Sequence, residues 1–78
     1  MLQTNMKLSR IQKGWTQTQL AFLSRVPQSE ISRFENLRSI PYHGQAERMG
    51  EILGLKAEEL QEVVSNDDRE PVPAGGVG

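Results

Sequence analysis

The chain has 78 residues and no cysteine, so it folds as one small domain that buries only about 60% of its unfolded surface and has neither a disulfide framework nor a thiolate metal site. No apolar run approaches the roughly 20 residues of a membrane span, and no signal-peptide-like segment opens the chain, so the expectation is a soluble, cytoplasmic protein. The net charge of −1 hides an asymmetry: Lys7, Arg10, Lys13, Arg25, Arg33 and Arg38 outnumber Glu30 and Glu35 in residues 1–40, whereas Arg48, Lys56 and Arg69 face eight acids in residues 41–78, a pattern that predicts a basic face and an acidic rear.

Helical signals begin at Asn5. Met6, Leu8 and Ile11 give a first helix its apolar positions up to Lys13, and Gly14 suits the left-handed stop after it. Thr16-Gln17-Thr18-Gln19 reads as a capping box: the Thr16 hydroxyl accepts from a first-turn N–H, and the Gln19 side chain reaches back to the Thr16 N–H. The helix that it opens runs to Ser24, with Leu20, Leu23 and Phe22 assigned to the inside. Arg25-Val26-Pro27 is a turn, because Pro27 keeps Val26 out of the helical region. A third helix follows from Gln28 to Asn36, then a loop around Pro41. Gly44–Leu53 is a fourth, stopped by Gly54. A fifth is expected over Ala57–Val64, presenting Leu60, Val63 and Val64. No strand-like alternation is visible. Residues 1–65 thus form an all-α, five-helix domain. Residues 66–78, rich in Pro, Gly and acids, lack the apolar surface to offset ordering entropy and are expected to be a disordered tail.

The third helix has the most informative pattern. At roughly 100° per residue, Gln28, Ser29, Ser32 and Arg33 share one arc, while Ile31 and Phe34 lie opposite. Glu30 falls on the flank and Glu35 at the edge of the apolar arc. Gln reads adenine and Arg reads guanine through paired hydrogen bonds, and Ser adapts to base or phosphate, so the arc suits a helix in a DNA major groove. An ordinary amphipathic surface helix shows the same split, and the helix alone does not separate the two.

The preceding residues do. Gln17-Thr18-Gln19-Leu20-Ala21-Phe22-Leu23-Ser24-Arg25-Val26-Pro27-Gln28-Ser29-Glu30-Ile31-Ser32-Arg33-Phe34-Glu35-Asn36 resembles the helix-turn-helix of phage repressors and Cro proteins, the Xre-type family. Ala21 stands where the first motif helix needs a small side chain, and Leu20, Val26, Ile31 and Phe34 stand at the buried positions. The likeness extends from Arg10 through Gly14-Trp15-Thr16 to Leu53-Gly54-Leu55 and Glu59-Leu60, covering about residues 6–64. It implies a compact repressor-like domain with the helix-turn-helix at its second and third helices, and the family supplies the docking geometry, with the second motif helix in the major groove. It further implies that Gln17 binds a phosphate and supports Gln28. Gln28, Ser29, Ser32 and Arg33 face base edges or the adjacent backbone, and Arg38 meets a phosphate. Arg10 and Glu35 match a structural ion pair. At three positions the chain differs from the family's habit. Arg25 and Leu37 replace common glycines, so a left-handed Arg25 carries roughly 1–2 kcal/mol of strain. Pro27 replaces the usual Ser/Thr cap, removing a side-chain acceptor.

The remaining residues have plainer readings. Trp15 packs on the core in preference to stacking on a base. His43 has no second ligand at metal spacing and belongs to the surface or a helix cap. Glu58, Glu59 and Glu62 form a solvated helix face rather than a catalytic cluster. Tyr42 belongs either to a partner interface or to its own loop. No nucleophile–base pair, phosphate loop or two-carboxylate cleft is visible, so neither a catalytic site, a metal nor a cofactor is expected. The leading expectation is a sequence-specific regulator of transcription, a repressor, that binds double-stranded DNA as a homodimer on a palindrome. Leu55, Leu60, Val63 and Val64 either form its dimer surface or close the monomer's core. The alternative is an antitoxin-like module that uses the same fold to hold a protein partner.

Overall fold

The computed structural model describes residues 2–65. Their elements are β1 (Leu2–Thr4), α1 (Asn5–Gln12), α2 (Gln17–Ser24), α3 (Gln28–Glu35), α4 (His43–Leu53), a 3-10 turn at Ala57–Glu59 and β2 (Val63–Ser65). The expected disorder of residues 66–78 concerns a segment outside the described residues.

Local chemistry explains most of the helix boundaries. Thr4 caps α1 by accepting the Lys7 N–H, and Gly14 follows the helix at φ +76°. Thr16 and Gln19 form the reciprocal capping box of α2, with the Gln19 N–H donating to Thr16 Oγ1 at 3.1 Å and the Thr16 N–H donating to Gln19 Oε1 at 2.8 Å. At the start of α4 the Tyr42 N–H donates to Gln45 Oε1. Gly54, at φ +75°, ends that helix.

One core joins every helix. Met6 from α1, Leu20 from α2, Val26 from the turn, Ile31 and Phe34 from α3, and Ala46, Met49 and Leu53 from α4 close around Leu60. Trp15 packs against this cluster from the outside. Within α1, Met6 and Leu8 are buried, while Ile11 is exposed.

Two expectations need correction. The helix expected over Ala57–Val64 does not form: one 3-10 turn gives way to a strand, leaving four α-helices rather than five. The cause is tertiary. The carbonyls of Leu60 and Glu62 accept the Met6 and Asn5 N–H groups at 2.9 and 2.7 Å, and β2 pairs antiparallel with β1 in the register Leu2↔Ser65, Gln3↔Val64, Thr4↔Val63. A helix would have claimed those carbonyls for its own donors four residues on, and β-branched Val63 and Val64 suit the extended form. Three-residue strands are too short to announce themselves by alternation. Nor do Phe22 and Leu23 point inward; both are exposed, Phe22 by 83%. The inward arc of α2 holds Leu20 and Ser24, both buried, with Gln17 and Ala21 half-buried, and its centre lies roughly 160° from Phe22 on the helix.

Gly50 explains how the chain after α4 folds back so closely. A Cβ at this position would collide with the Leu55 carbonyl oxygen, whose own N–H donates to the Gly50 carbonyl at 2.9 Å. Gly50→Ala is therefore expected to lower stability by about 1–3 kcal/mol through overpacking, despite alanine's better helix propensity. A chemical-denaturation midpoint unchanged or raised by the substitution would contradict this.

Candidate nucleic-acid interface

The outer edge of α3 is polar because its other side is committed. Ile31 and Phe34 are buried in the core. Gln28, Ser29 and Arg33 are exposed and Ser32 is half-buried, so these four side chains share one surface. Pro27 precedes the helix, and no side chain caps it. The positive end of the helix dipole thus remains open to an anion.

Glu35 belongs to the opposite side. Its carboxylate is 99% buried and accepts two hydrogen bonds from Arg10, from Nε to Oε2 at 2.7 Å and from Nη2 to Oε1 at 3.1 Å. Arg10 Nη1 donates to the Trp15 carbonyl at 2.7 Å, so the guanidinium is spent on the scaffold. Two further links lead outward. Gln17 Nε2 donates to Glu35 Oε1 at 3.0 Å, and Gln28 Nε2 donates to Gln17 Oε1 at 2.8 Å. A continuous relay thus runs from the buried ion pair to the first residue of α3. It fixes the Gln28 amide while leaving Oε1 and the second Nε2 hydrogen for an outside partner.

The turn before α3 and the loop after it are both strained. Arg25 lies at φ 59° and ψ 37°, and Leu37 at φ 59°. A non-glycine residue there costs roughly 1–2 kcal/mol. Tertiary hydrogen bonds hold both. Arg48 on α4 donates from Nε to the Ser24 carbonyl at 2.8 Å and from Nη2 to the Arg25 carbonyl at 3.4 Å. Gln61 Nε2 donates to the Ser39 carbonyl at 2.7 Å and the Phe34 carbonyl at 3.2 Å. Thr4 Oγ1 donates to the Glu35 carbonyl. These three side chains clamp the ends of the two motif helices, and sequence reasoning missed them all. Their acceptors are carbonyls at or just beyond the helix ends, and the donors lie 22 to 31 residues away along the chain.

The surrounding charges favour an anionic partner. Arg25, Arg33 and Arg38 are exposed around α3. Glu30, the acid nearest this edge, is half-buried and accepts a hydrogen bond from Gln45 Nε2 at 2.7 Å, which turns its carboxylate towards α4. The expected dimer residues are placed unevenly. Leu60 is fully buried in the core, Leu55 packs half-buried against it, Val64 is half-buried, and Val63 is exposed on β2. His43 pairs with Glu47 on the surface at 3.0 Å. Tyr42 is largely exposed and so is not absorbed by its own loop. Among the described residues, no cluster of His, Asp or Glu is placed to hold a metal ion, and no helix is long and apolar enough to cross a membrane.

Comparison with known proteins gives one match. The model of a family described as helix-turn-helix matches residues 6–60, from the first turn of α1 to the core residue Leu60. No curated protein and no solved structure matches the chain.

Proposed function

Because the chain belongs to the Xre- and Cro-like helix-turn-helix family of DNA-binding regulators, we propose that it reads a specific duplex sequence by laying α3 in the major groove. The observation that supports this most is the relay from Arg10 through Glu35 and Gln17 to Gln28. A side chain that discriminates bases must be oriented before it meets them, and this one is tethered to the core. Gln28 and Arg33 are assigned to base edges, Ser29 and Ser32 to bases or adjacent backbone, and Gln17 and Arg38 to phosphates.

One such domain covers a short half-site. We therefore assign it to a homodimer on a palindrome with half-sites about 34 Å apart, as helix-turn-helix dimers generally bind, and to repression by occupancy of that site. Leu55, Val63 and Val64 are the remaining candidates for its dimer surface, since Leu60 is enclosed. Sedimentation velocity with and without operator tests this; a monomer at high micromolar concentration in both states would remove the dimer.

Selection of bound duplexes from a random pool tests the reading itself. The expected result is an enriched palindromic sequence. Arg33→Ala should weaken binding to that sequence by about 1–3 kcal/mol and relax the preference at one base pair per half-site. If selected and random duplexes bind equally weakly at low salt, the chain does not read sequence, and the antitoxin-like alternative replaces this proposal.

A further inference from the structure

The outer face of α2 carries apolar surface that DNA reading does not use. Trp15, Phe22 and Leu23, with Thr18 and Gln19, line a groove of about 430 Å³. Phe22 and Leu23 are 83% and 44% exposed, and the Lys13 ammonium lies 5.6 Å from the centre of the Trp15 ring. An aromatic groove with a cation at its rim has the chemistry that receives extended proline-containing segments.

This chain contains such a segment outside the described residues. Pro71-Val72-Pro73-Ala74 is an uncharged stretch preceded by Asp67-Asp68-Arg69-Glu70, in which three acids outnumber one base. We propose that it docks in the Trp15–Phe22 groove of its own chain. Three observations support this occupant. Proline restricts its own φ and pushes the preceding residue into the extended region, so Glu70 to Pro73 loses little entropy in presenting an extended edge. The acids just before the prolines complement Lys13 beside the indole. The tether is also short: five residues lie between Ser65 and Pro71, a span of up to about 20 Å.

Trp15 is the chain's one tryptophan, so its fluorescence reports on the groove directly and without DNA. The experiment compares emission and acrylamide quenching of the whole chain with those of Pro71→Ala/Pro73→Ala, each also carrying Phe22→Ala. A short tether gives an effective concentration in the millimolar range, so even a millimolar site is about half filled and its loss should raise the quenching constant roughly twofold. The expected result is a red-shifted, more quenchable Trp15 in the double-proline variant, independent of protein concentration. In the Phe22→Ala background the proline substitutions should change nothing. Phe22 is surface-exposed and both prolines lie outside the described fold, so circular dichroism melts should stay within a few degrees of the unsubstituted chain. Identical quenching with and without the prolines would overturn the proposal. So would protection of Trp15 that fades on dilution, which would assign the groove to a second copy.

Discussion

Replacing Arg10 with methionine is expected to lower the unfolding free energy by about 3–5 kcal/mol, because it leaves the Glu35 carboxylate buried without its counter-charge. That loss is comparable with the whole stability of a domain this size, about 4–12 kcal/mol at the usual value per residue. Methionine retains most of the arginine's apolar length, so the loss is electrostatic rather than a cavity. Gln17 Nε2 still donates to Glu35, but one neutral donor does not replace a bidentate guanidinium. Urea denaturation followed by Trp15 emission gives the number. The companion variant Arg10→Met/Glu35→Leu removes both charges and should recover much of the stability, since exchanging both members of a buried pair for apolar groups is often neutral. It should still bind DNA less well, because Gln17 then has no carboxylate to hold it against Gln28. If the double variant is no more stable than the single one, packing rather than the uncompensated charge explains the loss.

Leu60→Ala is expected to cost about 2–5 kcal/mol, the range for truncating an enclosed leucine. Leu60 is fully buried among residues from all four helices, and its carbonyl accepts the Met6 N–H. The cost should be the same at every protein concentration. Thermal melts over a hundredfold dilution series check this: an effect that grows as the protein is diluted would place Leu60 in an intersubunit contact instead.

The residues that were easy to read are those whose determinants are local. The Thr16–Gln19 capping box, the stop at Gly14 and the Pro27 boundary each depend on neighbours within four positions, and the structure has all three. The division of α3 was equally legible, because Ile31 and Phe34 are spaced as one helical face. The reading of α2 erred at Phe22 and Leu23 since hydrophobicity alone does not say which of several apolar residues faces inward. The inward arc includes Gln17 and Ser24, whose polar groups are satisfied by Glu35 and by the Leu20 carbonyl. Beyond α4 the local helix signal was overridden by a strand partner some 60 residues earlier in the chain. The clamps of Arg48, Gln61 and Thr4 were invisible for a related reason: each donates to a carbonyl at or just beyond the end of a helix that is distant in the chain. Left-handed Arg25 is likewise understandable only with Arg48 in place.

The pairing of β1 with β2 also governs when the domain can exist during synthesis. Asn5 and Met6 open the first helix, yet the carbonyls that accept their N–H groups belong to Glu62 and Leu60. Translation at ~5–20 residues per second passes the end of the helix-turn-helix at Asn36 roughly 1–5 s before it reaches Leu60. Throughout that interval the core lacks its central leucine and the Gln61 clamp after α3 is missing. A chain terminated between Arg38 and Leu60 contains every side chain that we assign to DNA but lacks the frame that orients them, so DNA binding is expected only of chains translated through β2.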